Sequence, residues 1–524
     1  MRVLSFCFIA AWIGNHAQAQ VSSDSNEVVH LSGSVVNAAT GEPVRRATVG
    51  VQFLGGVRPG AAAQTTTADG NGHFELFGLT PGQYQLWAER RGYPRQNYAS
   101  GLSISKDQLD LVFRMTPYSA IIGSVVDEYG DPLMGATVQL VRSEISQGRR
   151  QMRLAPGAVT NDKGMYRAAA LPPGRYYISA TAISSTARVP GASAGDTEYG
   201  RLFYAGAAEL ATATAIELEP GAEARADFRL EPEQVFQVRG SIAEAEIAEG
   251  ISVNLVRHGV GENFGGQSHA VRMQAGGSFE ISGVAPGRYF LVAGTYKASG
   301  RETAECEVVV GHADVEGITL VLRHGTELTG RVRVEEGGAA LDASRIGINL
   351  DPRDTGIQPT LSARLDPGMT FSIPDAAPGY YLLRVQLPEP YYVKAASTGG
   401  LDALANPVAI RPGEAAAPLD LVIGWNGGEV SGTVSVQDKP VANCAVLLTP
   451  RNGPSRSLER IAATDRNGRF LLRAVAPGDY LAYSWPDINA VEYGNAETLQ
   501  RYSAEGVTVT AGGKETIELK LNGN

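Results

Sequence analysis

The chain has 524 residues and a formal net charge of −10, from 45 Lys and Arg against 55 Asp and Glu. We find no basic clusters, and this acidic balance argues against nucleic acid and anionic membrane surfaces as partners. Beyond the first 19 residues only Cys306 and Cys444 remain, which leaves open either two buried free thiols, the favoured alternative, or one bridge between them.

The first 19 residues have the pattern of a secretory signal. Arg2 provides a basic start, residues 3–13 are mainly apolar, and Ala17-Gln18-Ala19 fits a small-x-small cleavage site. The apolar run is too short to span a bilayer, and no later run of about 18 apolar residues exists. We therefore expect an exported chain that is periplasmic, cell-surface or secreted, with no membrane insertion; the alternative is an ordinary N-terminal strand.

The first repeat of the chain shows a regular order of strand and turn signals. A strand at residues 31–36 is followed by a turn at residues 40–43 and a second strand at residues 47–53. A tight Gly-rich turn, Ala68-Asp69-Gly70-Asn71-Gly72, then leads to a Pro81-Gly82 turn, and residues 109–113 close the unit. Short strands between turn signals are typical of a β-sandwich.

The same order returns four times. Five copies of Pro-Gly-x-Tyr lie at Pro81, Pro173, Pro286, Pro378 and Pro477. Their spacings of 92, 113, 92 and 99 residues match ordinary domains and are too long for a solenoid. We expect a type II turn at each Pro-Gly, because Pro fixes φ near −65° and Gly accepts a positive φ. The Tyr then opens a half-buried strand, as in Tyr84, Leu86 and Ala88.

We therefore predict an all-β protein of five tandem Greek-key-type β-sandwich domains, arranged as an elongated rod. Short Pro-containing linkers such as Glu231-Pro232-Glu233 favour stiff connections between the domains. The predicted boundaries are 1–19 for the signal peptide, 20–116 for repeat one, 117–231 for repeat two with a loop insertion, 232–323 for repeat three, 324–424 for a diverged repeat four and 425–524 for repeat five.

These motifs carry a resemblance to a known family. The turn Gly41-Glu42-Pro43-Val44, the strand starts Ala47-Thr48-Val49 and Ala136-Thr137-Val138, the Asp-x-x-Gly-x-Phe turn and Pro-Gly-x-Tyr together resemble the carboxypeptidase regulatory-like domain. The resemblance implies a transthyretin-like sandwich related in shape to collagen-adhesin B-type repeats. Such tandem arrays resemble those of exported bacterial proteins, and the pattern specifies fold rather than activity.

No catalytic or metal motif stands out, so we predict no enzyme activity and no cofactor. In the carboxypeptidases that carry this domain, a separate catalytic domain holds zinc through His-x-x-Glu and a later His. Here His324-Gly325-Thr326-Glu327 is the one His-x-x-Glu, and no His follows it. Asp69-Gly70-Asn71-Gly72 and Asp465-Arg466-Asn467-Gly468 leave two alternatives, a tight turn or half of a calcium loop; the turn is favoured because the Glu at loop position 12 is missing. The opening strands lack the Lys that an internal Lys–Asn crosslink needs.

Aromatic side chains follow the Pro-Gly-x-Tyr strand in every repeat, and these are the candidate ligand-binding residues. Exposed rings at one end of each domain could stack on sugars or anchor a protein, whereas buried rings would cap the sandwich cores, the alternative that we favour. The candidates are Tyr98, Phe203, Tyr204, Trp485 and Tyr493.

The function predicted from the sequence is a structural, adhesive or protein-interaction role at the cell envelope, without catalysis. The alternative is polysaccharide binding through the aromatic loops. The expected partner is an envelope protein or an extracellular polysaccharide, and we expect a monomer.

Overall fold

The computed structural model describes residues 28–53, 63–98, 102–104, 106–182, 197–243, 250–257, 271–274, 276–297, 300–338, 341–353, 360–411 and 414–523. Nearly every element in these ranges is a β-strand, and the short helix α1 spans Ala496–Leu499. Short 3₁₀ helices lie at Leu210–Thr212, Ala343–Arg345 and Ile488–Ala490. The prediction of an all-β protein is confirmed. The proposed signal peptide, residues 1–19, lies outside the described residues.

Repeats one and two each fold into two sheets. The strands of repeat one are β1 Val29–Asn37, β2 Thr48–Phe53, β3 Gln64–Thr67, β4 His73–Leu79, β5 Gly82–Arg90, β6 Tyr93–Asn97, β7 Leu102–Ile104 and β8 Gln108–Met115. Those of repeat two are β9 Ser119–Val126, β10 Thr137–Ser146, β11 Arg149–Val159, β12 Met165–Leu171, β13 Gly174–Ala182, β14 Thr197–Phe203, β15 Ile216–Leu218, β16 Glu223–Arg225, β17 Phe228–Arg229 and β18 Pro232–Gln234. The sheet orders are β4-β1-β8 and β3-β2-β5-β6, then β12-β9-β16 and β11-β10-β13-β14-β18.

Repeats three to five follow the same plan. Repeat three has β19 Phe236–Ala243, β20 Ser252–Arg257, β21 Val271–Met273, β22 Ser278–Val284, β23 Gly287–Lys297, β24 Gly300–Val310, β25 Val315–Val321 and β26 Arg323–His324. Repeat four has β27 Thr326–Val334, β28 Gly347–Pro352, β29 Leu361–Ala363, β30 Thr370–Ala376, β31 Gly379–Gln386, β32 Tyr392–Thr398, β33 Leu401–Asp402, β34 Val408–Ile410 and β35 Leu419–Gly424. Repeat five has β36 Gly428–Val436, β37 Lys439–Pro440, β38 Ala445–Pro450, β39 Arg460–Ala463, β40 Arg469–Val475, β41 Gly478–Trp485, β42 Glu505–Val509 and β43 Lys514–Lys520.

The first strand of each repeat lies between two partners of opposite direction. In repeat one, β1 pairs antiparallel with β4 and parallel with β8. The bulged parallel strand comes so close that a Cβ on Gly33 would collide with the Leu111 carbonyl. Gly123 meets the Ala226 carbonyl and Gly432 the Ile517 carbonyl in the same way. The Gly of the opening strand is therefore needed for close backbone approach.

The Tyr of Pro-Gly-x-Tyr has a specific role in the fold of repeats one to four. Its hydroxyl donates to the carbonyl oxygen four residues earlier, so one bond ties the turn to the strand. The bonds are Tyr84 to Thr80 at 2.9 Å, Tyr176 to Pro172 at 2.6 Å, Tyr289 to Ala285 at 2.8 Å and Tyr381 to Ala377 at 2.9 Å. Burial raises the pKa of Tyr176 to about 12, the direction expected for a desolvated phenol.

The type II assignment of the Pro-Gly turns is wrong. Gly174 has φ +143° and Gly478 has φ +155°, an extended conformation open essentially to Gly alone, whereas a type II turn needs about +80°. The left-handed residue lies three positions before the Pro, at a β-bulge that precedes the turn. These residues are Gly78 at +73°, Ala170 at +58°, Gly283 at +74°, Asp375 at +52° and Ala474 at +54°.

This geometry predicts opposite effects for two neighbouring alanines. Ala170 and Ala169 are both exposed on β12, and Ala170 alone has a positive φ, +58°. Ala170→Gly should raise the free energy of unfolding by about 0.5–1 kcal/mol, because Gly adopts this conformation without the Cβ penalty. Ala169→Gly should lower it by about 0.5–1 kcal/mol through chain entropy. Urea unfolding of both variants measures the effect, and equal signs would contradict the bulge assignment.

The elongated rod is wrong for the second part of the chain. The described residues among 28–91 and 95–115 form one compact unit, and the described residues among 92–94 and 116–524 form another. Within the second unit repeat two contacts repeat five, although two repeats separate them along the chain. Its linkers are not independent spacers either, because β18 pairs with β14 and β26 pairs with β24. The rod prediction failed because polar loops that carry no repeat motif form these contacts.

Candidate functional site

The aromatic candidates of repeat five are interior residues. Trp485 is 0% exposed and Tyr493 is 7% exposed. They lie in a second small core with Tyr483, whose ring stacks on Trp485 at a centroid distance of 5.4 Å. The ring of Tyr502 meets Trp485 edge-on at 5.2 Å. This packing is what the core-capping alternative expects.

The other three aromatic candidates also contact the sandwiches. Phe203 is 2% exposed and packs with Val141. Tyr204 is half-buried and lies edge-on to Phe228 at 6.3 Å, while half-buried Tyr98 lies 5.7 Å from Phe113. Ligand binding by these five rings stays a prediction, and it would require the buried ones to become accessible.

The Asp-Asn-Gly turns use their side chains to close the chain. Asp69 Oδ1 accepts from the backbone amides of Asn71 and His73, both at 2.8 Å. Asn161 makes the equivalent pair of bonds in repeat two, to Lys163 at 3.0 Å and to Met165 at 2.9 Å. Because a neutral amide replaces the carboxylate there, the turn does not depend on negative charge, and this geometry supports the tight-turn alternative.

His324 and Glu327 have separate partners. His324 Nε2 lies 3.2 Å from Glu302 Oε1, and Glu327 Oε1 accepts from Ser372 Oγ at 2.5 Å. Within the described ranges, no three His, Cys, Asp or Glu side chains gather where they could hold a metal ion. Cys306 and Cys444 are free thiols, as the favoured alternative expects, but only Cys444 is buried and Cys306 is half-buried. None of the helices in the described ranges is long and apolar enough to cross a bilayer.

The polar residues converge instead where repeats two, four and five meet, a place that we call the junction. The turn Gln147-Gly148 between β10 and β11 has φ of +49° and +72°, as in a two-residue type I′ hairpin. The Gly148 carbonyl accepts from the Gly494 amide at 2.7 Å, and the Tyr493 ring leaves no room for a Cβ on Gly148. Arg150 Nε lies 3.6 Å from Glu492 Oε2. The hairpin of repeat two is therefore docked on repeat five.

A buried ionic group joins repeat four to repeat five at the junction. Asp351 is 8% exposed and accepts from Arg384 Nε at 2.8 Å and from Arg384 Nη2 at 3.2 Å. Arg456, from the loop 451–459 of repeat five, binds the same carboxylate. Burial acts to raise the pKa of Asp351, but the hydrogen bond from Arg384 and the charge of Arg456 hold this pKa below its usual value. One carboxylate thus binds two guanidinium groups from different repeats.

The loop 451–459 also completes the edge of β31. Ser457 is 1% exposed; its hydroxyl donates to the Leu383 carbonyl at 3.0 Å and accepts from the Val385 amide at 3.2 Å. Leu458 packs against the core of repeat four. The backbone groups of a strand edge are thereby satisfied by a side chain from another repeat.

A cavity of about 50 Å³ lies between the three repeats. Its lining includes Gln147, Arg149, Leu383, Asn406, Arg456 and Glu459. Arg149 also reaches repeat four, where its Nη1 donates to the Arg353 carbonyl at 3.3 Å. At roughly 10–15 Å³ per water, the space suits a few water molecules. The cavity is therefore too small for an organic ligand, and its distinctive feature is the charged side chains that line it.

Apart from Tyr493, sequence reasoning missed the residues of the junction. The local signal that could have indicated the hairpin is Gly148 after Gln147, between two runs of strand-forming residues. Asp351, Arg384 and Arg456 are far apart in sequence and belong to no repeated motif. A search limited to motifs that recur in each repeat passes over contacts made only once.

Comparison with known proteins locates the family match at the N-terminal end of the repeats. Residues 30–116 and 120–231 match the carboxypeptidase regulatory-like domain. Comparison with curated proteins finds no match.

Several solved structures are similar at low identity. The minor pilin GBS52 of Streptococcus agalactiae is 13% identical, with a TM-score of 0.24 over 39% of this chain and 95% of that one. A streptococcal ancillary pilin is 12% identical, with a TM-score of 0.20 over 57% and 99%. The Bacillus anthracis TIE protein is 10% identical, with a TM-score of 0.16 over 95% and 75%.

The family match covers two consecutive units whose sheets are built alike, each with a first strand between an antiparallel and a parallel neighbour. Residues 30–116 and 120–231 are therefore two consecutive carboxypeptidase regulatory-like domains.

Proposed function

We propose that this protein is a non-catalytic structural or adhesive scaffold of the cell envelope that binds an envelope protein. The observation that carries the proposal is the junction, where buried polar contacts hold repeats two, four and five together. Sandwiches that are held together in this way keep their outer loops at fixed positions relative to one another, as a scaffold or adhesin requires. The repeated motif residues have observed roles in folding, such as the Tyr hydroxyl bonds and the Asx turns.

Retention on envelopes tests the proposal. The chain from residue 20 onward would be incubated with intact envelope preparations, some treated with protease and others with glycosidases. Saturable retention that protease treatment abolishes is the expected result, because the partner is a protein. Retention abolished by glycosidases, together with a signal on a glycan array, would instead support polysaccharide binding.

Two controls make this test decisive. Heat-unfolded chain gives the background for retention and for a panel of peptide, ester and glycoside substrates. We expect no turnover above that background. Turnover by the folded chain, or retention no greater than that of the unfolded chain, would contradict the proposed function.

A further inference from the structure

The cavity at the junction contains one acidic side chain whose surroundings differ from those of the other carboxylates. Glu459 comes from repeat five, and its Oε1 atom is buried without a hydrogen-bond partner among the described residues. The neighbouring Asp351 is fully engaged with Arg384 and Arg456. An ionised carboxylate with a buried, unbonded oxygen costs more free energy than a protonated one.

The charges that face Glu459 come from each element packed around it. Arg456 is in the same loop, already bound to Asp351, and Arg149 comes from the hairpin of repeat two. Tyr493 belongs to repeat five. The pKa of its hydroxyl is raised, mainly by burial and to a smaller extent by the charge of Glu459. Burial raises the pKa of Glu459 from 4.5 to about 7. The charges of Arg456 and Arg149 and a hydrogen bond from the Ser455 backbone lower this pKa, but their combined effect is smaller than that of burial.

We propose that Glu459 is a proton-binding latch that couples pH to the docking of the repeat two hairpin on repeats four and five. The hairpin supplies Arg149 and Gln147 to the cavity wall, so its withdrawal would admit water to the carboxyl group. Docking excludes that water, and because this desolvation outweighs the charge of Arg149, it favours the protonated carboxyl. The latch acts on the junction irrespective of which partner the scaffold binds.

The direction of the effect follows from proton linkage. The docked state binds the proton more tightly than the open state, in which the carboxyl returns toward its ordinary pKa of 4.5. The stabilisation is fully present below about pH 4.5 and is lost as the pH rises through about 7. Between pH 5 and pH 8 the equilibrium constant for opening should rise by about tenfold to a hundredfold.

Amide hydrogen exchange in the chain from residue 20 onward measures this opening. The Gly494 amide is bonded to the Gly148 carbonyl and is protected when the hairpin is docked, whereas the Thr464 amide is bonded to Cys444 within repeat five. After correction for intrinsic exchange, the protection of Gly494 relative to Thr464 should fall about tenfold to a hundredfold from pH 5 to pH 8. Glu459→Gln, a neutral isostere, should remove the pH dependence, and the exposed control Glu497→Gln should keep it.

The proposal would be contradicted if the protection of Gly494 relative to Thr464 did not change with pH in the wild-type chain. It would also be contradicted if this ratio changed equally in Glu459→Gln. If Glu459→Gln fails to fold, NMR titration of the wild-type Glu459 carboxyl decides the question. A midpoint near 7 is expected, and a midpoint near 4.5 would overturn the proposal. Envelope retention at pH 5 is a separate readout, so failure of the latch and failure of the proposed function are distinguishable.

Discussion

Replacement of Trp485 by Ala is expected to lower the free energy of unfolding of repeat five by about 3–5 kcal/mol, the usual cost of truncating a large core side chain. Trp485 is 0% exposed, and its ring is enclosed by Tyr483 and Tyr502. Its indole nitrogen has no hydrogen-bond partner among the described residues, so the loss is one of packing and not of polar contacts. Thermal and urea unfolding monitored by near-ultraviolet circular dichroism would measure it.

Tyr129→Ala is the matched control, because Tyr129 is an aromatic residue that is 83% exposed. Its replacement should change stability by no more than about 0.5 kcal/mol. A Trp485→Ala variant that is as stable as wild type but no longer retained on envelopes or glycans would contradict the core assignment. That outcome would restore Trp485 as a binding residue.

Replacement of Asp351 by Asn should lower the free energy of unfolding of the second compact unit by about 3 kcal/mol. The change preserves the shape of the side chain but leaves two guanidinium groups without their anion. The side chain of Arg456 is 12% exposed and that of Arg384 is 23% exposed, so water compensates only part of the loss. Urea unfolding at pH 7 measures the difference.

Asp420→Asn is the control for an ion pair near solvent. Asp420 binds Arg331, whose side chain is 58% exposed, and its loss should cost no more than about 1 kcal/mol. The pKa of Asp351 is lowered in the folded chain, so the stability it contributes is present above pH 3.8 and is lost as the pH falls through its folded pKa. Equal effects of the two substitutions would contradict a special role for the buried group.

The regular part of the fold was predictable because each repeated motif has a local physical cause. In every repeat a strand begins at the Gly of Pro-Gly-x-Tyr and includes the Tyr, and the Gly of the opening strand is required by the nearby parallel strand. The turn type was mistaken because Pro-Gly alone does not reveal the bulge before it. A positive φ at Ala170 or Ala474 has no signal in residue type, since the surrounding sheet imposes it.

The candidate site was not predictable for a different reason. Asp351 and Arg456 are 105 residues apart, and each reads alone as an ordinary surface charge. Their burial depends on how one repeat docks on another. The alternation of hydrophobic residues within a repeat predicts its strands but not this docking. The aromatic residues, by contrast, were conspicuous in the sequence. Trp485 and Phe203 are buried, as the core-capping alternative expects.

The distance between repeats two and five tests the central claim most directly. Spin labels would be attached at Arg153→Cys and Asn495→Cys in the chain from residue 20 onward, which lacks Cys7 and would also carry Cys306→Ser and Cys444→Ala, at pH 6. Arg153 lies about 17 Å along β11 from the Gly148 contact, and Asn495 follows Gly494, so the docked hairpin predicts a label separation below about 30 Å. Sandwiches that touch only their chain neighbours would place repeats three and four between the labels, and a separation above about 50 Å would contradict the docked junction.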